Sequence, residues 1–126
     1  MSMVRILVVE DEEFLMRTLK DNLEAEGFEV DIALNADEAL GFMNTHSPDL
    51  ILLDIIMPRK DGFYVLDTVK KNPAWRTIPV IMLSNLGGDE DIERAMAMGA
   101  DGYFIKSQHP LHEVIAAIRN YIKKAS

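Results

Sequence analysis

Three carboxylates, a hydroxyl and an ammonium each stand directly after a short apolar run. Glu10 and Asp11 follow Val4–Val9, Asp54 follows Leu50–Leu53, Ser84 follows Pro79–Leu83 and Lys106 follows Gly102–Ile105. Three acids gathered at one place repel one another unless a cation sits among them. Oxygen donors without cysteine or histidine suit Mg²⁺ or Mn²⁺. A metal and an ammonium together attract phosphate. Asp54 is then a candidate carboxylate nucleophile of the acyl-phosphate kind. The metal and Lys106 would neutralise the phosphoryl oxygens, and Ser84 would donate a hydrogen bond to one of them. Each residue alone has an ordinary reading, and for Asp54 that is a helix cap or a turn aspartate.

This chemistry requires elements that bring the run ends together. Leu50-Ile51-Leu52-Leu53 is unbroken and short, which suits a strand buried on both faces. Pro58 cannot donate to a ladder, so the strand ends before it. Val4–Val9 is β-branched and reads as a first strand, Val30-Asp31-Ile32-Ala33 as an outer one. Pro79–Leu83 and Gly102–Ile105 complete a set of five, with Pro79 at a strand start. Helical spacing joins Phe14, Leu15, Leu19 and Leu23, stopped by Gly27; Glu12 and Glu13 are assigned to its N-terminus, where acids complement the dipole. Asn35 with Glu38 forms a capping box for a short helix through Ala39, Leu40 and Met43. Phe63, Val65, Leu66 and Val69 mark a third helix after the polar turn 59–62, ended by Asn72-Pro73. Trp75 reads as a packing lid. Asp89 or Asp91 caps a fourth helix through Ile92, Ala95 and Met96, whose stripe is weak. Pro110 opens a fifth through Leu111, Val114, Ile115, Ile118 and Ile122, with Lys123-Lys124 at its basic end. Strands alternating with helices over short connections mean an α/β fold, a parallel sheet with helices on both faces. If the strand order is the flavodoxin-like 2-1-3-4-5, the Asp11 and Asp54 strands are adjacent at the switch point.

The 126 residues, 48% of them apolar, fit one domain, taken as 1–126. A net charge of −8 argues against nucleic acid and anionic membranes as partners. The absence of cysteine excludes thiol chemistry and disulfides. The apolar run after the amino terminus is too short for a signal peptide or a membrane span, so the expected location is the cytoplasm.

At these residues the chain resembles the receiver domain of two-component response regulators, from Ile6 to about Lys124. The motifs are Ile6-Leu7-Val8-Val9-Glu10-Asp11, Leu53-Asp54 with 57–62 (Met57-Pro58-Arg59-Lys60-Asp61-Gly62), Pro79–Ser84 and Gly99–Lys106. The resemblance implies a flavodoxin-like, doubly wound sheet of five strands in the order 2-1-3-4-5, with five helices. It implies Asp54 as phosphoacceptor, served by a phosphohistidine on a sensor histidine kinase or phosphotransfer protein. Asp11, Asp54 and the backbone carbonyl of Ile56 would bind Mg²⁺ (or Mn²⁺), with Glu10 near the metal through water. Lys106 would pair with the phosphoryl group, Ser84 would be the switch hydroxyl and Tyr103 the switch aromatic that turns inward. The output face would be the fourth helix, fifth strand and fifth helix, with Met96 and Met98 on an adaptable surface. A downstream target or an effector domain would read that face, and homodimerisation there is left open. Such a chain assists its own phosphorylation and dephosphorylation without being an enzyme in the usual sense.

Three positions depart from the family pattern. The acidic pair is Glu10-Asp11 rather than two aspartates, which keeps both charges. Lys106 precedes Ser107 where the family usually has a proline after a cis bond; a cis bond before a non-proline costs roughly 2.5–4 kcal/mol, so a trans bond, or a strained cis one, is expected. Ile56 and Leu86 occupy the rim, and neither can orient an attacking water, so a slowly hydrolysing aspartyl phosphate is expected. His109 and His112, three apart, and His46 are expected at surface or cap positions rather than on a metal. Competing functions are a receiver that only binds protein and is never phosphorylated, and a small Mg²⁺-dependent phosphatase. The latter needs a second aspartate where Ile56 stands. A flavodoxin needs a hydroxyl- and glycine-rich loop where Glu10–Glu13 are acidic.

Overall fold

The computed structural model describes residues 3–125. Five strands alternate with five helices: β1 (Arg5–Val9), α1 (Glu13–Ala25), β2 (Glu29–Ala33), α2 (Ala36–Met43), β3 (Leu50–Leu53), α3 (Gly62–Lys71), β4 (Val80–Ser84), α4 (Asp89–Ala97), β5 (Gly102–Ile105) and α5 (Leu111–Ala125). The strands are all parallel in the order β2-β1-β3-β4-β5, the flavodoxin-like order expected. Met1, Ser2 and Ser126, which the single-domain assignment of 1–126 includes, lie outside the described residues, as does the side chain of Lys124.

Strand alternation divides the core into two layers. Leu7, Val9, Ile51 and Leu53 point toward α2, α3 and α4, where they meet Met43, Leu66 and Ala95. Ile6, Val8, Leu50 and Leu52 point the other way, toward Leu19 and Leu23 of α1 and Val114 and Ile118 of α5. A strand covered on both faces has no polar side to show, and that is why β3 reads as a continuous apolar run. Trp75 is half-buried against the first layer, as a lid should be.

Three helix readings need correction. Phe14 is 79% exposed and lies off the α1 stripe. Leu15, Leu19 and Leu23 repeat every fourth residue, so Phe14, one position earlier, is turned about 100° away. Glu12 holds the N-cap position of α1 but its side chain makes no cap bond; the Glu10 carboxylate accepts the Glu12 N–H instead, at 3.0 Å. The N-cap of α4 is Gly88, and Asp89 and Asp91 lie in the first turn without capping it. Their charge still suits the dipole there. Asn35 caps α2 as expected, accepting from Glu38 N–H while Glu38 reaches back to Leu34 N–H. Asp61, read only as part of a turn, caps α3 through Tyr64 N–H. The weak stripe of α4 is confirmed, since Ala95 is its buried residue and Met96 is 45% exposed.

Candidate functional site

Backbone hydrogen bonds carry the ladder one residue past the strands and so fix where the polar ends stand. Glu10 N–H donates to Ala33 O, Asp54 N–H to Val9 O and Lys106 N–H to Ser84 O, each at 3.0 Å. All these ends lie at the carboxyl edge of the sheet. The β1/β3 junction is the switch point of this strand order, where open α/β sheets leave a crevice.

There Glu10, Asp11 and Asp54 each bring one carboxylate oxygen to within 4.8 Å of the others. Glu10 and Asp54 are buried and Asp11 is exposed. Lys106 Nζ lies 2.8 Å from Glu10 Oε1 and 3.4 Å from Asp54 Oδ2. Asp54 Oδ1 accepts the Ile55 N–H at 2.8 Å. A cleft of roughly 220 Å³ opens over these groups, with Glu12, Ile56 and Asn85 on its walls. The carboxyl of Asp54 is pushed above the usual aspartate range by burial, and the charge and hydrogen bond of Lys106 hold it partly down. Burial likewise raises Glu10, opposed by its Lys106 hydrogen bond and reinforced by the charge of Asp54. Burial disfavours the Lys106 ammonium, but Glu10 and Asp54 more than compensate, and its pKa is raised. Lys106 thus serves a buried pair of acids, with Asp11 beside them at the surface. The donors are all oxygen, mutually close, and open to water on the Asp11 side, which fits a hard divalent ion.

Ser84 is fully buried, and its Oγ accepts the Leu86 N–H at 3.3 Å. Tyr103 is half-buried and its hydroxyl donates to the Leu86 carbonyl. Burial, then the charges of Asp91 and Asp54, raise its pKa and keep that hydroxyl protonated, against a Ser84 hydrogen bond. Tyr103 already points inward here, and Leu86 links it to Ser84. Ile56 is 58% exposed at the rim and Leu86 is half-buried. The Lys106–Ser107 bond is trans, as expected of a non-proline successor.

Two features escaped the sequence. Gly62 N–H donates to Ile55 O at 2.7 Å, and a Cβ on Gly62 would stand 2.2 Å from the Asp54 carbonyl oxygen. The Asp61-Gly62 pair after a proline was the available signal. His109, expected at a surface or cap position, is half-buried: its Nδ1 takes the Ile105 N–H at 2.9 Å. His112 is exposed, and His46 stacks on Phe42 beside Thr45.

The sequence model of the response regulator receiver domain matches residues 6–119. The chain belongs to that family. Among its relatives, the phosphate regulon transcriptional regulatory protein PhoB of Rhizobium meliloti (strain 1021) is 38% identical over 121 residues, 96% of this chain and 53% of that protein. The response regulator PleD of Caulobacter vibrioides (strain NA1000 / CB15N) is 38% identical over 115 residues, 91% of this chain and 25% of PleD. The chain spans about half the length of the first curated relatives it matches. Among solved structures, the receiver domain of Francisella response regulator 1452 superposes with a TM-score of 0.90 at 28% identity, covering 98% of this chain and 99% of that one. A CheY-like receiver domain protein from Methanospirillum hungatei JF-1 gives 0.91 at 28% identity, covering 98% and 97%. This receiver domain has, among its described residues, no helix long and apolar enough to cross a membrane.

Proposed function

We propose that Asp54 accepts a phosphoryl group from a phosphohistidine on a sensor histidine kinase or phosphotransfer protein. The observation that carries this reading is a buried Asp54 carboxylate facing Lys106 across an acidic cleft. Asp11, Asp54 and the Ile56 carbonyl would hold Mg²⁺ (or Mn²⁺), with Glu10 acting through water. The metal supplies charge neutralisation at the phosphoryl oxygens. A carboxylate oxygen of Asp54 attacks phosphorus, the P–N bond breaks, and its electron pair stays on the imidazole of the donor. Lys106 gives up part of its contact with Glu10 to meet the incoming charge. Ser84 leaves Leu86 N–H to hydrogen-bond the phosphoryl group, and Tyr103 packs behind it. The acyl phosphate ends on the chain itself, so the domain is a phosphoacceptor rather than a turnover catalyst, working in the cytoplasm as one domain. The loosely packed α4, with β5 and α5, is the face a target or a further domain reads; relatives about twice as long support the latter.

Intact mass after incubation with Mg²⁺ and acetyl phosphate tests this. A phosphoryl-sized gain is expected for the wild-type chain, none for Asp54→Asn, and none in EDTA. Neither Ile56 nor Leu86 can orient an attacking water, so the adduct should decay over many minutes or longer. A lifetime of seconds would refute that part. No gain at all, with Mg²⁺ bound and the fold intact, would favour a receiver that only binds protein.

A further inference from the structure

His109 lies in the turn that carries Lys106, four residues after the last residue of β5. β5 is an edge strand, paired on one side with β4. Lys106 N–H uses that pairing, donating to Ser84 O. Ile105, its neighbour in an extended strand, points its N–H the opposite way, to the open edge. An edge N–H with no strand beside it needs another acceptor. His109 Nδ1 supplies it at 2.9 Å, while the ring stands edge-on to Phe104 at 5.2 Å between centroids. An N–H can approach only a bare ring nitrogen, so the imidazole is neutral with its proton on Nε2.

We propose that neutral His109 is a positioning residue for Lys106, closing the turn that presents the ammonium to Glu10 and Asp54, and that its protonation loosens this turn. Protonated Nδ1 meets the Ile105 N–H donor to donor. It then has the Ile105 carbonyl within 3.2 Å, but that oxygen already accepts Gln108 N–H and His109 N–H, both at 3.0 Å. The edge N–H is left without a partner. Among the described residues, none lining the small pocket beside the ring is an acid: Leu15 and Thr18 of α1, Leu83 of β4, and Leu111 and Val114 of α5 stand there. Lys106 is the charged group on its wall, and exposed His112 and Glu113 follow on α5.

Its effect on phosphorylation rests on the role assigned to Asp54; its structural half does not. In the ¹⁵N-labelled whole chain, the Ile105 and Lys106 amide resonances should titrate with the His109 ring, with the midpoint of the ring. In the phosphorylation reaction with Mg²⁺ and acetyl phosphate, wild type is compared with His109→Asn, whose Oδ1 occupies the place of Nδ1 and does not titrate. The wild-type to His109→Asn rate ratio should fall about three- to tenfold from pH 8 to pH 5.5, the worth of one hydrogen bond. Glu10 and Asp54 titrate in both proteins, so a pH-dependent ratio reports how His109 alters their contact with Lys106. His109→Phe, a ring without an acceptor, should be slow at both pH values, and His109→Asn should restore the rate. A ratio independent of pH, or a His109 ring that titrates while the Ile105 and Lys106 amides stay still, overturns the proposal. Should no variant take a phosphoryl group, the reading of Asp54 falls and the amide titration still decides the role of His109.

Discussion

Gly62→Ala is expected to destabilise the domain by about 3 kcal/mol, at the upper end of what overpacking costs. The single added methyl group would stand 2.2 Å from the Asp54 carbonyl oxygen, 2.7 Å from Ile55 Cα and 2.9 Å from the Asp54 carbonyl carbon. All three are backbone atoms, so no side chain can swing aside. The reason for glycine here is space, not torsional freedom. The helix that Gly62 opens is pinned to the strand end by its N–H on Ile55 O. Relief therefore means moving α3 away or moving the peptide that carries Asp54, and the second choice shifts the carboxylate against Lys106. The gain in helix propensity from glycine to alanine, up to about 1 kcal/mol in a helix interior, is too small to offset this. Gly41, inside α2, is the matching control: a Cβ there meets nothing within 4 Å. Urea unfolding should show Gly41→Ala as neutral or slightly stabilising and Gly62→Ala with a far lower midpoint. Equal midpoints for the two variants would show that the β3–α3 junction yields cheaply.

Asp54→Asn should make the metal-free protein more stable at pH 7.5, even though it removes the proposed phosphoacceptor, because burial disfavours the Asp54 charge. Burial raises the Asp54 carboxyl from its ordinary 3.8, and Glu10 from 4.5. A carboxyl with a raised folded pKa holds its proton more tightly when folded. Its support for the fold is greatest in acid and is lost as pH rises from the unfolded value through the folded one. At neutral pH the ionised pair is therefore a net burden, shared by one lysine. Asparagine removes one charge and leaves Lys106 with Glu10 at 2.8 Å. Thermal melts in EDTA should show the advantage of Asp54→Asn at pH 7.5 and its disappearance near pH 4. Millimolar Mg²⁺ should raise the wild-type midpoint and move the variant much less, because a ligand stabilises in proportion to its binding of the folded state. A variant that melts below wild type at pH 7.5 in EDTA would mean that the Lys106–Asp54 attraction outweighs the burial of the charge.

The parts of the fold that depend on periodicity were legible. Leu50–Leu53 announced a strand covered on both faces, and the polar residues after β1, β3, β4 and β5 announced one shared edge. The parts that depend on orientation at the end of an element were not. Phe14 sits in the overhanging first turn of α1, where one residue of phase decides between core and water. Asp89 and Asp91 have the right chemistry for a cap but the chain turns at Gly88. Glu10 was expected near a metal, and its bond to Glu12 N–H shows a second duty that spacing alone could not assign. Gly62 and His109 both act on backbone atoms of residues remote from any pattern of their own. A hydrogen bond from a strand edge leaves no periodic trace.

Leu86 links two hydroxyls, and its geometry has the character of a mechanical linkage. Its N–H serves Ser84 and its carbonyl serves Tyr103, so one residue is held from both ends like a crank between two rods. Pulling Ser84 away frees an amide and alters the tension on the carbonyl at once. Tyr103 gives up its bond to the Leu86 carbonyl if it turns outward. If Ser84 moves to a phosphoryl group as proposed, Leu86 is the residue through which that motion would reach Tyr103 on β5.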